Sequence, residues 1–336
     1  MTALRHDTER GLRGIVVLLA LIAALLLVFL VGSTLSSCTL LDDGGDLDSA
    51  VSADSEERAN PGVPRDNVPV VRVAEQPGAA VASDDKAVLD YSNAALGYVC
   101  ALSLVDGVEL MVLVDGPLGG QYQYSIPTKD SYITIPLSEG NGIYAITVYE
   151  NLYDDTYSPL FSQDLDVALS DEFGPFLYPN PTVNFAAGDA AVQLSQEVTA
   201  NATSEVEAVD QIYMYLVENF VYDYDKAASV APGYLPNNDN MLAAGKGICY
   251  DFASLAASLL RAQRLPTKLD VGYCGATFHA WIEVYTEEQG WVRKKIEFPG
   301  RAWTLMDPTF DSASRGTGDI DKIVGDGSDY QPMRYY

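Results

Sequence analysis

The chain has 336 residues, with 20 Lys and Arg against 47 Asp and Glu, and a formal net charge of −27. A hydrophobic content of 48% excludes a wholly disordered chain, and a charged fraction of 20% argues against a coiled coil. Phosphate contacts need clustered Lys and Arg, which so acidic a chain lacks, so no nucleic acid is expected as a partner. The two histidines, His6 and His279, exclude most His-built metal sites and force any imidazole chemistry onto one residue, and no cofactor is expected. The length suggests about two domains, each able to bury a core.

Arg5, Arg10 and Arg13 precede an uncharged run over 14–37, with a solid apolar block over 15–31. A positive segment followed by a long apolar one reads as an export signal and is left out of fold reasoning. The run closes with Leu35-Ser36-Ser37-Cys38, which resembles the lipobox of bacterial lipoproteins. That resemblance implies removal of a signal peptide over 1–37, a lipid on Cys38, and anchoring to the outer face of the cytoplasmic membrane. An uncleaved spanning helix is the alternative, since the run is long enough to cross a bilayer. Both readings put the remainder outside, because positive charge precedes the span and acidic charge follows it. The cysteines that then remain are Cys100, Cys249 and Cys274, and an odd number means at least one free thiol or an intermolecular bond.

Residues 39–86 hold no aromatic side chain, four prolines, and eleven acids against four bases. Such a stretch buries too little apolar surface to offset its ordering entropy, so 38–86 reads as a disordered acidic tether. Short alternating runs follow at 102–104, 108–114, 122–126, 132–137 and 143–149. Turn residues such as Asp106-Gly107 and Asp115-Gly116-Pro117 separate them. Strands of this length and spacing predict an all-β, sandwich-like domain over 87–170. Its many tyrosines suit half-buried strands, and no chemistry is assigned to it.

A helical region begins near Ala187. Ser204 to Glu207 has the form of a capping box, followed by Val206, Val209, Tyr213, Leu216 and Phe220 at helical spacing. Gly245-Lys246-Gly247 invites a phosphate-loop reading, but that loop needs Gly where Asn240 stands and Ser or Thr where Gly247 stands. Cys249 opens the next predicted helix, which carries Leu255, Leu259 and Leu260 on its apolar face and ends before Pro266. At a helix start, unpaired N–H groups and the dipole favour a thiolate and can receive a developing oxyanion. Alternation over 278–285 predicts a strand with His279 near its start. Asp307 follows in Asp307-Pro308-Thr309. A thiol nucleophile needs a base to take its proton, and that base needs an orienting acceptor. Cys249, His279 and Asp307 can fill those three roles.

Four ordered segments now resemble the transglutaminase-like superfamily: Gly247-Ile248-Cys249-Tyr250-Asp251-Phe252-Ala253, His279-Ala280-Trp281, Gly290-Trp291-Val292, and the Asp-Pro-Thr turn. Tyr234-Leu235-Pro236-Asn237 fits as well. The resemblance implies a papain-like α+β core over 171–336, preceded by the β domain. It implies Cys249 as nucleophile, His279 as general base and acid, and Asp307 as orienter. It also implies a thioester route acting on a peptide, protein or cell-wall peptide. Hydrolysis, as in cysteine peptidases, is expected over amine transfer. The competing class is a non-catalytic envelope-binding or scaffold lipoprotein that keeps the fold. Trp281 is expected to pack beside the three and limit water. Tyr222, Tyr234 and Asn237 are oxyanion-donor candidates by location alone. If Cys38 carries the lipid, Cys38→Ala shifts the protein out of the detergent phase on phase partition. Unchanged detergent partition with residues 1–37 still attached would instead support the spanning helix.

Overall fold

Alternation of buried and exposed residues builds the first half. The computed structural model describes residues 62–336 apart from 128, 155, 288, 293–295, 299–300 and 304–329. The signal segment, Cys38, the first part of the expected tether and Asp307 therefore lie outside the described residues. Eight strands come first: β1 (Val81–Ser83), β2 (Ala87–Asp90), β3 (Tyr98–Ser103), β4 (Leu110–Asp115), β5 (Gln121–Ile126), β6 (Ile133–Pro136), β7 (Gly142–Tyr153) and β8 (Thr156–Val167). They form two four-stranded antiparallel sheets, in orders β1-β2-β3-β6 and β5-β4-β7-β8. Strand β5 alternates strictly, burying Tyr122, Tyr124 and Ile126 while Gln121, Gln123 and Ser125 face outward. The inward residues of both sheets, among them Leu89, Val99, Val112 and Ile146, join a single apolar core with the helices that follow.

The helices are α1 (Ala190–Val198), α2 (Glu205–Asn219), α3 (Tyr224–Ser229), α4 (Asn238–Ala244) and α5 (Cys249–Ala262). The box at the start of α2 differs slightly from the sequence expectation. Ser204 Oγ accepts from Glu207 N at 3.1 Å, but the Glu207 carboxylate reaches back to Thr203 N at 2.7 Å. Backbone and side-chain hydrogen bonds from Thr203 hold that carboxyl below the usual range. Helix α5 is buried on nearly every face, from Asp251 through Ala262, and is the central element of this half. The two-residue strands β9 (Val221–Tyr222) and β10 (Lys246–Gly247) pair in parallel just before it. A curled sheet in the order β13-β12-β11-β16 lies after it. Its strands are β11 (Thr267–Cys274), β12 (Thr277–Thr286), β13 (Gly290–Val292) and β16 (Tyr330–Tyr335). Between β13 and β16, the pair β14 (Ile296–Phe298) and β15 (Arg301–Trp303) forms a separate antiparallel hairpin. The fold is thus α+β: N-terminal β-sheets, then a helical core, then the curled sheet.

Two features tie these layers together. Arg261 on α5 is 1% exposed and donates to the Tyr178 carbonyl at 2.7 Å, the Thr267 carbonyl at 2.8 Å and the Tyr336 carbonyl at 2.6 Å. Burial pushes this guanidinium down to about 9. At the joint, Gly174 packs so closely on the short 3₁₀ turn before β3 that an added Cβ would lie 2.2 Å from the Leu96 carbonyl oxygen. Phe173 then lies tilted against Tyr285 at 4.3 Å, and Phe176 meets Trp291 edge-on at 5.5 Å.

The latter part of the expected tether behaves differently from its composition. Val70 N donates to the Ala262 carbonyl at 2.8 Å, and Arg65 donates to the Gln263 carbonyl at 3.1 Å. Helix C-termini leave carbonyls without intrahelical partners, and here the incoming chain supplies the donors. Farther along, Glu75 N donates to Tyr98 Oη at 3.0 Å and Gly78 N to Asp90 at 2.8 Å. From residue 62 the segment is a strap held by backbone and side-chain hydrogen bonds to the helices and sheets, which low aromatic content does not forbid.

Candidate functional site

Residue 249 owes its position to a carboxylate two residues further on. Asp251 is 1% exposed, and its Oδ2 accepts from Ile248 N at 2.8 Å, closing the helix start. Lys226 Nζ donates to the same oxygen at 2.6 Å and to Tyr234 Oη at 2.7 Å. Tyr234 in turn donates to Asp251 Oδ1. Burial opposes the charge on Lys226, but the hydrogen bonds to Asp251 and Tyr234 outweigh it and leave its pKa raised. Gly247 is required before the turn, because a Cβ there would lie 2.7 Å from Asp251 Cβ. Cys249 follows as the first residue of α5, half-buried, with its thiol free.

His279 sits on β12 opposite Gly272 of β11 and is 6% exposed. Trp281, two residues on and fully buried, lies nearly parallel to its ring at 6.3 Å. Tyr330 of β16 closes on the pair, 6.4 Å from His279 and 5.0 Å from Trp281. Trp281 therefore packs beside the imidazole. Gly272 has its own reason to be glycine: a Cβ would meet the Gln331 carbonyl oxygen of β16 at 2.1 Å.

Cys249 and His279 line one cavity of about 660 Å³. Its walls come from three parts of the chain: Gln123 and Tyr124 of the β-sheet region, Tyr234 and Tyr250 around the helix start, and Arg334 and Tyr336 at the last strand. The structure thus brings two of the predicted site residues together; Asp307 and Cys38 lie outside the described residues. Of the oxyanion candidates, Tyr234 spends its hydroxyl on Asp251, and Asn237 caps α4 by accepting from Asn240 N at 2.8 Å. Tyr222 faces the cavity. Cys100 is buried, which pushes its thiol up, while Cys274 lies at the end of β11 and does not border the cavity. Among the described residues, no group of three or more His, Cys, Asp or Glu could hold a metal ion. The sequence reading missed Lys226, Tyr124 and Arg334. Only the Asp251 position, two residues after the cysteine, signalled a polar cluster there.

Residues 192–295, about a third of the chain, match the family model of the transglutaminase-like superfamily, and the match includes Cys249 and His279. No curated protein matches the sequence. Among solved structures, a candidate cysteine protease from Cytophaga hutchinsonii is 14% identical, with a TM-score of 0.38, over 76% of this chain and 73% of that one. A candidate protease from Parabacteroides distasonis is also 14% identical, with a TM-score of 0.28, over 60% of this chain and 43% of that one. Red sea bream transglutaminase is 12% identical, with a TM-score of 0.27, over 63% and 47%. This chain spans less than half the length of the last two.

The Asp251 cluster makes a stability prediction. Asp251→Ala strips Ile248 N, Tyr234 and Lys226 of a shared acceptor and is expected to cost about 2–3 kcal/mol in urea unfolding. Lys226→Met should cost less, because that side chain is partly solvated. A loss below about 0.5 kcal/mol for Asp251→Ala would show that the helix start does not depend on the cluster.

Proposed function

We propose that this chain is an exported, membrane-anchored thiol enzyme that acts on amide or peptide bonds, with hydrolysis as its main outcome. Cys249 is the nucleophile, His279 the general base and acid, and Asp307 the group that orients the imidazole. The anchor is the lipid on Cys38. The observation that carries this reading is the shared cavity: a thiol at the first position of a helix and an imidazole on a strand open onto the same space. The superfamily match over 192–295 supports it, although that match ends before Asp307.

The chemistry follows from the placement. His279 takes the thiol proton as sulfur attacks the carbonyl carbon of the donor amide. The carbonyl oxygen becomes an oxyanion, which the N–H groups at the start of α5 can receive. Collapse breaks the C–N bond, and His279 passes its proton to the leaving amine. A thioester remains on Cys249. Water then attacks as His279 takes its proton, and collapse releases the carboxylic acid and restores the thiol. A primary amine in place of water would give amine transfer through the same steps.

Concentration favours water. Water stands at about 55 M and an amine at millimolar levels, a ratio on the order of 10⁴, or about 5 to 6 kcal/mol by RT ln of the ratio. Amine transfer would require a site that excludes water strongly. The substrate class is a peptide, a protein or a cell-wall peptide. The test follows free acid and amine-coupled product from peptide and wall-derived donors in the presence of a millimolar labelled primary amine. Mainly free acid is expected, lost in Cys249→Ala. Mainly amine-coupled product would replace the hydrolase by a transferase, and no product from any donor would favour a binding role.

A further inference from the structure

One charged side chain of the cavity has no part in the chemistry above. Arg334 is half-buried on β16, opposite Val271, and its Nε donates to the Gln121 carbonyl at 2.7 Å. That bond fixes the guanidinium at the rim while the two terminal amino groups have no partner among the described residues. The cavity lining contains no Asp, Glu or Lys, so Arg334 is its one permanently charged side chain among the described residues. No ion pair of the described residues involves it. Arg65 and Arg261 also lack ion pairs, but their terminal amino groups donate to protein oxygens, whereas those of Arg334 do not among the described residues.

A second group points the same way. Tyr124 lines the cavity from β5 and is 4% exposed, yet its hydroxyl has no hydrogen-bond partner among the described residues. Buried polar groups are normally satisfied, and a buried hydroxyl without a partner, on a side chain that lines a cavity, marks a place for a ligand atom. The two groups feel each other. Burial raises the phenol pKa of Tyr124, Tyr250 and Tyr336, and the charge of Arg334 offsets part of that rise in all three. A planar guanidinium fork and a phenol O–H are donors suited to the two oxygens of one carboxylate.

We propose that Arg334 and the Tyr124 hydroxyl form a carboxylate-binding subsite, so that the acyl donor is a peptide carrying a carboxylate near the amide that Cys249 attacks. This deepens the reading of Cys249 as nucleophile and rests on it. The carboxylate can belong to an acidic side chain or to a free chain end; both present the same two oxygens. The last strand and the β-sheet region then act as specificity elements for a cavity whose thiol and imidazole are carried by α5 and β12.

The test compares anionic iodoacetate with neutral iodoacetamide as alkylators of Cys249, followed by peptide mass mapping, with Cys274 as the internal control. The iodoacetate to iodoacetamide rate ratio is expected to be higher at Cys249 than at Cys274. Arg334→Gln should lower it about fivefold, Tyr124→Phe by less, and Arg334→Lys should retain most of it. A ratio unchanged in Arg334→Gln would overturn the subsite. If Cys249 reacts with neither reagent, the nucleophile reading fails, and the subsite is judged by binding to Cys249→Ala protein. The probes are acetyl-Gln-Glu amide, acetyl-Gln-Gln with a free carboxylate, and acetyl-Gln-Gln amide, titrated by calorimetry. One of the two anionic peptides should bind at least about fivefold more tightly than the neutral one, and which one does so identifies the source of the carboxylate. That advantage should vanish in Cys249→Ala/Arg334→Gln. Equal binding of all three, binding of none, or an advantage that survives Arg334→Gln would overturn the subsite.

Discussion

The buried carboxylate of Asp251 is the constraint on which the site depends. It completes the first turn of α5 by accepting from Ile248 N, and it gathers Lys226 and Tyr234 against the same turn. A carboxylate at a helix N-terminus is favourable for the helix dipole, and here it also has a counter-ion and a phenol donor. The consequence is positional. The loop that carries Tyr234 and the helix that begins at Cys249 cannot move apart without exposing a charged group that is 1% accessible. A thiol proposed as nucleophile at the first helical position is useful only if that position is rigid, and this cluster supplies the rigidity.

The other half of the site is fixed by sheet geometry. His279 sits opposite Gly272, and the absence of a Cβ there lets β16 approach closely. The same approach brings Tyr330 onto Trp281 and His279 and sets Arg334 and Tyr336 at the cavity. Arg261 secures the arrangement from beneath, joining α5, the start of β11 and the Tyr336 carbonyl through one buried guanidinium. The cavity is therefore a product of long-range packing. Residues more than two hundred positions apart, such as Gln121 and Arg334, meet at its edge.

This explains what could be read in the residues and what could not. Cys249 at a helix start and His279 on a strand were legible because their signals are local: glycine punctuation, 3.6-residue periodicity, then alternation. Strands β3 to β7 were legible for the same reason. Strand β8 was not named, since it is an edge strand interrupted by Pro159, buries few residues, and pairs through bulges. Strand β16 was missed because Gln331-Pro332-Met333-Arg334 reads as polar and broken, and only β11 gives it a partner. The strap from residue 62 was misread as part of the tether, since composition does not show that its bonds end on helix carbonyls and a buried tyrosine. Tyr124 and Arg334 reach the cavity by tertiary packing alone, which no spacing rule encodes.

The account stands or falls on whether Cys249 and His279 act as one unit. The direct measurement is the second-order rate of iodoacetamide alkylation at Cys249 near pH 7 in wild type, His279→Ala and Asp307→Ala. A positioned base that takes the thiol proton should make His279→Ala slower by at least about tenfold, and Asp307→Ala slower by a smaller factor. Equal rates in all three proteins, matching that of Cys274, would contradict the pairing and leave Cys249 as a structural thiol.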